Sequence, residues 1–175
     1  MRWPGLLLGI LLALLGAAVQ RPVLEVRADN GALLYQQALS PGQPVVLSYR
    51  HSVNGQPVRE VYTLDHTAAL VVREHAYRAQ GAGLGQVAGE GRRLETRDGW
   101  TRVVDLNRRV GRIALRVGQP RVNHRLTVRG TTWALSQTLA GVRVWLGGRQ
   151  VPLGQWLWSW TPARPAAPAP WEETK

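Results

Sequence analysis

The chain has 175 residues, a formal charge of +11 and no cysteine. That length holds one domain with a real core. The missing cysteine excludes a disulfide framework, a thiolate metal site, a cysteine nucleophile and a lipidated cysteine.

The N-terminus reads first. MRWPG carries one positive charge, and LLLGILLALLGAAV follows with none. The run has the length of a signal-peptide core and falls short of the ~20 residues of a comfortable membrane span. Gly16 and Ala18 sit at minus three and minus one for cleavage before Val19. A signal peptide over residues 1–18 is therefore expected, with an uncleaved anchor helix as the alternative. Either one places the domain outside the cytoplasmic membrane, in the periplasm or cell envelope.

From residue 19 to 161 the pattern is strand, turn, strand. PVLEVRA and ALLYQQAL flank Asp29-Asn30-Gly31 as a hairpin. VVLSYRHSV and VREVYTL flank Asn54 to Pro57, and ALVVREHAY follows. A glycine-rich loop runs from Gln80 to Gly91. RRLETR and WTRVVDL flank Asp98-Gly99, a second hairpin signal. RIALRVG and PRVNHRLTVRG read as strands, and TWALSQTLAG fits a short helix or a strand. VRVWLGGRQVPL contains a Gly147-Gly148 turn signal. QWLWSW reads as a last strand with Trp156, Trp158 and Trp160 on one side, either as core packing or as an interfacial aromatic belt. Residues 162–175 are rich in proline and alanine and are expected to be disordered. Short strands without a long helical period predict an all-β domain, an antiparallel sandwich or barrel built of hairpins.

The charge is uneven. Residues 92–129 hold eleven arginines against Glu95, Asp98 and Asp105. A basic face of that size attracts polyanions such as anionic lipid, cell-wall polymer or an acidic partner. Export and the lack of a nucleic-acid motif argue against nucleic acid.

The Asn54 hairpin carries the chemistry. Side chains alternate faces along a strand. Val45, Leu47, Tyr49, His51 and Val53 share one face, and Val58, Glu60, Tyr62 and Leu64 share the matching face of the next strand. A four-residue loop, Asn54 to Pro57, pairs His51 with Glu60, Tyr49 with Tyr62 and Leu47 with Leu64. A two-residue Asn54-Gly55 loop leaves His51 and Glu60 diagonal. The longer loop keeps Pro57 out of the ladder and is preferred. A third residue, His124, shares an apolar face with Val122, Leu126 and Val128. Burial of such groups demands partners, so a structural His51–Glu60 pair is the first expectation. His51, Glu60 and His124 are also the ligand types of a two-histidine, one-glutamate metal site. Ser52, His51 and Glu60 are the residue types of a hydrolase triad, although Ser52 points away from His51 in a regular strand. A small-molecule pocket polarised by the pair is the remaining alternative. The Gly81, Ala82, Gly83 segment offers backbone amides to an anion, but it opens no helix and does not match a dinucleotide fingerprint.

His51-Ser52-Val53, Glu60 with Tyr62, Gly81-Ala82-Gly83-Leu84 and the late His124 together resemble the bacterial family known as domain of unknown function 1850. The resemblance runs from about Val23 to Val144. It implies a small exported protein with no established activity and no cofactor. Genes of this family often lie beside TAXI-type tripartite (TRAP) transporters. The implied partners are therefore a transporter subunit or its solute receptor, with contact to the membrane surface. His51, Ser52, Glu60 and Gly81 to Gly83 are the positions the resemblance marks, and Tyr62 and His124 join them in the candidate cluster.

Overall fold

The structure is a computed structural model that describes residues 18–78 and 93–159. The signal or anchor segment up to residue 17, the loop with Gly81, Ala82 and Gly83, Trp160 and the tail lie outside the described residues. Among the described residues no helix is long and apolar enough to cross a membrane.

The expected all-β class is what forms. Eleven strands occur among the described residues: β1 (Gln20–Ala28), β2 (Leu33–Ala38), β3 (Val45–Arg50), β4 (Pro57–Leu64), β5 (Leu70–Arg78), β6 (Arg93–Arg97), β7 (Trp100–Val104), β8 (Arg108–Arg116), β9 (Arg125–Val128), β10 (Thr131–Ala134) and β11 (Arg143–Pro152). Two short helices join them, α1 (Leu135–Thr138) and α2 (Leu153–Trp158). The strands make one antiparallel sheet in the order β10-β9-β3-β4-β5-β8-β11-β1-β2. It forks at β5, whose first half pairs with β8 and whose second half pairs with β7 of the β6–β7 hairpin.

The sheet curls into a half-barrel around one core. Leu24, Leu39, Leu47, Leu64, Leu70 and Leu126 are fully enclosed in it. The two ends of the strand path approach through side chains. Tyr35 of β2 and Trp133 of β10 stand 5.8 Å apart, centroid to centroid. Aromatic contact, rather than a further backbone ladder, links the two ends across the core.

Turn chemistry explains the hairpins. Asp98 and Gly99 both take positive φ, at 53° and 74°, which suits the two-residue loop that joins Arg97 to Trp100. Asp65 organises the β4–β5 turn, with Oδ1 accepting from the backbone N–H of Thr67 and of Ala69.

Two sequence expectations fail here. Gly147-Gly148 is no turn but lies inside β11, a ten-residue strand paired on both sides. The glycines answer to close approach instead. A Cβ on Gly148 would stand 2.3 Å from the Ala68 carbonyl oxygen, and one on Gly147 would stand 2.9 Å from the Cβ of Arg112. The tryptophan-rich end is helix α2, not a strand. Positions 156 and 158 then fall on opposite sides of the helix. Trp156 packs on Val23, Ala38 and Val151 and donates its indole N–H to the Pro22 carbonyl, whereas Trp158 is 86% exposed. Six residues alternating bulky and small fit either period, so the pattern could not decide.

Candidate functional site

The β3–β4 register places Val45 opposite Tyr62, Leu47 opposite Glu60 and Tyr49 opposite Val58. Both registers considered from the sequence are therefore wrong. The hairpin closes earlier, with the His51 N–H donating to the Gln56 carbonyl and the Gly55 N–H to the His51 carbonyl. The Arg50 N–H points to the other edge of β3, to the Val122 carbonyl, as alternation along the strand requires. His51 thus belongs to the turn, where its Nδ1 accepts from the Val53 N–H. Glu60 sits opposite Leu47, four residues earlier, or about 13 Å back along the strand. The expected His51–Glu60 pair does not form. Ser52 is exposed in the same turn, so Ser52, His51 and Glu60 are not assembled as a triad. Among the described residues, no group of three histidine, aspartate or glutamate side chains is gathered to hold a metal. The trio His51, Glu60, His124 is therefore not a metal site in this geometry.

The face assignment of β4 does hold. Val58, Tyr62 and Leu64 point into the core, and Glu60 points in with them. Its carboxylate is held by residues from three strands. Tyr62 donates its hydroxyl to Oε2 at 2.5 Å, a short charge-assisted bond. Tyr49 of β3 donates to Oε1 at 3.3 Å. His75 of β5 lies directly opposite Glu60, and its Nε2 is 3.8 Å from Oε1. That separation is within ion-pair reach but beyond a hydrogen bond, and the buried Nε2 has no hydrogen-bond partner. Burial raises the ionisation of both tyrosines well above the phenol range, and the adjacent Glu60 charge and hydrogen bonds add to it.

His124 completes the group. It stands just before β9, buried, with its ring 5.0 Å from that of Tyr49. Its Nδ1 accepts from the Gly118 N–H at 2.9 Å, so in this geometry the ring carries its proton on Nε2 and is neutral. Ser136 locks the segment: its Oγ accepts from the His124 N–H and donates to the Gly118 carbonyl. Burial lowers the His124 pKa, and the Glu60 charge opposes that shift only in part.

The sequence thus located Glu60, Tyr62 and His124 and missed Tyr49 and His75 as the partners of Glu60. Tyr49 was on the correct face but assigned to Tyr62 by the wrong register. His75 had no readable face, because β5 is irregular: the register shifts between Val61 and Tyr62, and Arg73 is the extra residue.

The charge distribution also differs from the sequence window. Arg102 is bonded to Glu74, and Arg93 to Glu95, so that part of the basic run is largely neutralised. The outward basic face is built instead by β8, β11 and β1. Register and alternation put Arg112 and Arg116, Arg143 and Arg149, and Arg21 and Arg27 on one side of these three strands. Glu25 and Asp29 are the acids beside them.

No curated protein and no solved structure matches this chain. A family model does, over residues 45–135, and that span contains Tyr49, Glu60, Tyr62, His75 and His124. This chain belongs to the family described as Domain of unknown function (DUF1850).

Proposed function

We propose that this protein is an exported, non-catalytic accessory of a solute-uptake system, acting outside the cytoplasmic membrane. The outward arginine face of β1, β11 and β8 carries this reading. It sets six arginines against Glu25 and Asp29 on a stable β scaffold, and such a face draws an acidic partner or an anionic membrane surface. The family resemblance suggests the partner: the permease or the solute receptor of a TAXI-type TRAP transporter. The interior cluster fits a supporting role, since both Glu60 oxygens already accept from tyrosine hydroxyls.

The test is co-purification. A C-terminally tagged chain expressed in its own host and gently solubilised is expected to bring down a permease or receptor subunit. Arg116→Glu with Arg143→Glu is expected to lose at least tenfold of that recovery. Recovery of the folded chain alone overturns the proposal. A second reading, a small-ligand pocket, is favoured by the unpartnered Nε2 of His75. It expects a solute that wild-type protein binds and His75→Phe does not.

A further inference from the structure

The centre of the outer basic face is hollow. Its floor is the backbone of Gly147, opposite Glu25 on β1 and Arg112 on β8. A cavity of about 200 Å³ opens there, walled by Arg27, Arg112, Arg149, Glu25 and Trp145. A side chain at position 147 would close it, because even a Cβ would meet Arg112.

Two devices position the three arginines. Glu25 is buried and spends both oxygens: Oε2 accepts from Nε of Arg27 at 2.7 Å and Oε1 from Nε of Arg149 at 2.9 Å. Arg27 also donates through Nη1 to the Gly31 carbonyl. Arg112 lies over the Trp145 ring, its Cζ 4.6 Å from the centroid, and the Trp145 indole N–H is held by Asp29. The Nε atoms of Arg27 and Arg149 are thus committed to Glu25, which leaves Nη2 of Arg27 and the terminal amino groups of Arg149 as donors for a ligand. Burial disfavours the charged form of Glu25, but the bonds from Arg27 and Arg149 outweigh it and hold the carboxylate ionised. Three guanidinium groups therefore meet one carboxylate, which leaves the hollow two positive charges in excess.

We infer that this hollow binds a phosphate-type oxyanion, with Arg27, Arg112 and Arg149 as its ligands and Glu25 as the residue that positions two of them. A tetrahedral dianion matches the excess charge and presents three outer oxygens to donors arriving from three strands. A single carboxylate offers half that charge and two oxygens. The phosphate group belongs either to a small solute or to a lipid headgroup. This site stands whether or not the accessory reading does, and it uses different arginines from those in the co-purification test.

The experiment is calorimetric titration of the full chain in detergent at about 0.15 M salt, where screening suppresses diffuse attraction. The probes are inorganic phosphate and dihexanoyl phosphatidic acid, with dihexanoyl phosphatidylcholine as the control. Saturable one-to-one binding of inorganic phosphate is expected, weakened at least tenfold in Arg112→Gln and unchanged in Arg125→Gln, which removes the same charge from β9. If only phosphatidic acid binds, with the same dependence on Arg112, the oxyanion is a headgroup and the site is upheld. Equal weakening in both variants, or binding of neither phosphate probe, overturns it.

Discussion

Two carboxylates, one half-buried and one buried, stand on opposite faces of one curled sheet. Glu60 lies on the inner face and Glu25 on the outer, and each accepts a donor on both oxygens. The donors make the difference. Tyr49 and Tyr62 are neutral, so Glu60 keeps its charge inside a closed group that ties β3 to β4. Arg27 and Arg149 are cationic and part-exposed, so Glu25 serves to aim positive charge outward. The first arrangement resists being opened, because a broken bond strands a polar group away from water. The second tolerates change in stability, since a released arginine regains solvent, but not in what the surface attracts.

The largest expected effect lies where the two regions press on each other. Gly148 of β11 faces inward on the β4–β5 turn, and a Cβ there would meet the Ala68 carbonyl oxygen at 2.3 Å and Leu64 Cδ2 at 2.8 Å. A backbone atom cannot swing aside as a long side chain can. Gly148→Ala is expected to destabilise by about 3 kcal/mol, read from denaturant midpoints. A wild-type midpoint would mean that the inner and outer regions are not in firm contact at that point.

Next in size is the contrast itself. Glu60→Ala leaves the hydroxyls of the buried Tyr62 and the half-buried Tyr49 without their acceptor and is expected to cost about 1–3 kcal/mol. Glu25→Ala leaves two arginines whose side chains are 38% and 46% exposed, and it is expected to cost below about 1 kcal/mol. Equal losses in the two variants, measured by urea unfolding, would erase the distinction drawn between the faces.

These residues also mark how far the sequence could be read. Alternation placed Glu60, Tyr62 and His124 correctly on buried faces, and Asp98-Gly99 announced its hairpin, because both signals are local. The register of the Asn54 turn was not legible. The His51 N–H bonds to the Gln56 carbonyl, inside the loop expected from the sequence, and registers offset by two residues keep every side chain on the same face, so alternation could not choose among them. His75 was hidden by the irregularity at Arg73, which breaks the two-residue period on which face assignment depends. The outer basic face was misplaced for a related reason. A charge window follows the chain, whereas the sheet sets β1 and β11 beside β8 and pairs Arg93 of β6 and Arg102 of β7 with Glu95 and Glu74.

The smallest effect is the acid response of the inner group. His124 is neutral, buried and committed through Nδ1 to the Gly118 N–H, with Glu60 as the charge that acts on it and the Tyr49 ring against it. Its folded pKa lies below the unfolded value. As pH falls through that unfolded value, the unfolded chain takes up the proton first, and the folded protein loses stability relative to it. The contribution is complete above about pH 6.5 and fades below it, at a rate no steeper than about 1.4 kcal/mol per pH unit for one proton. Unfolding midpoints taken from pH 7.5 down to 5 should therefore drop faster in wild-type protein than in His124→Gln, which cannot titrate. Removal of Glu25 should leave that acid slope in place, because Glu25 is on the other face. Parallel curves for wild type and His124→Gln would mean that the folded chain takes up the proton as readily as the unfolded one, giving up the Gly118 bond at no cost, and that the inner cluster is less closed than its geometry implies.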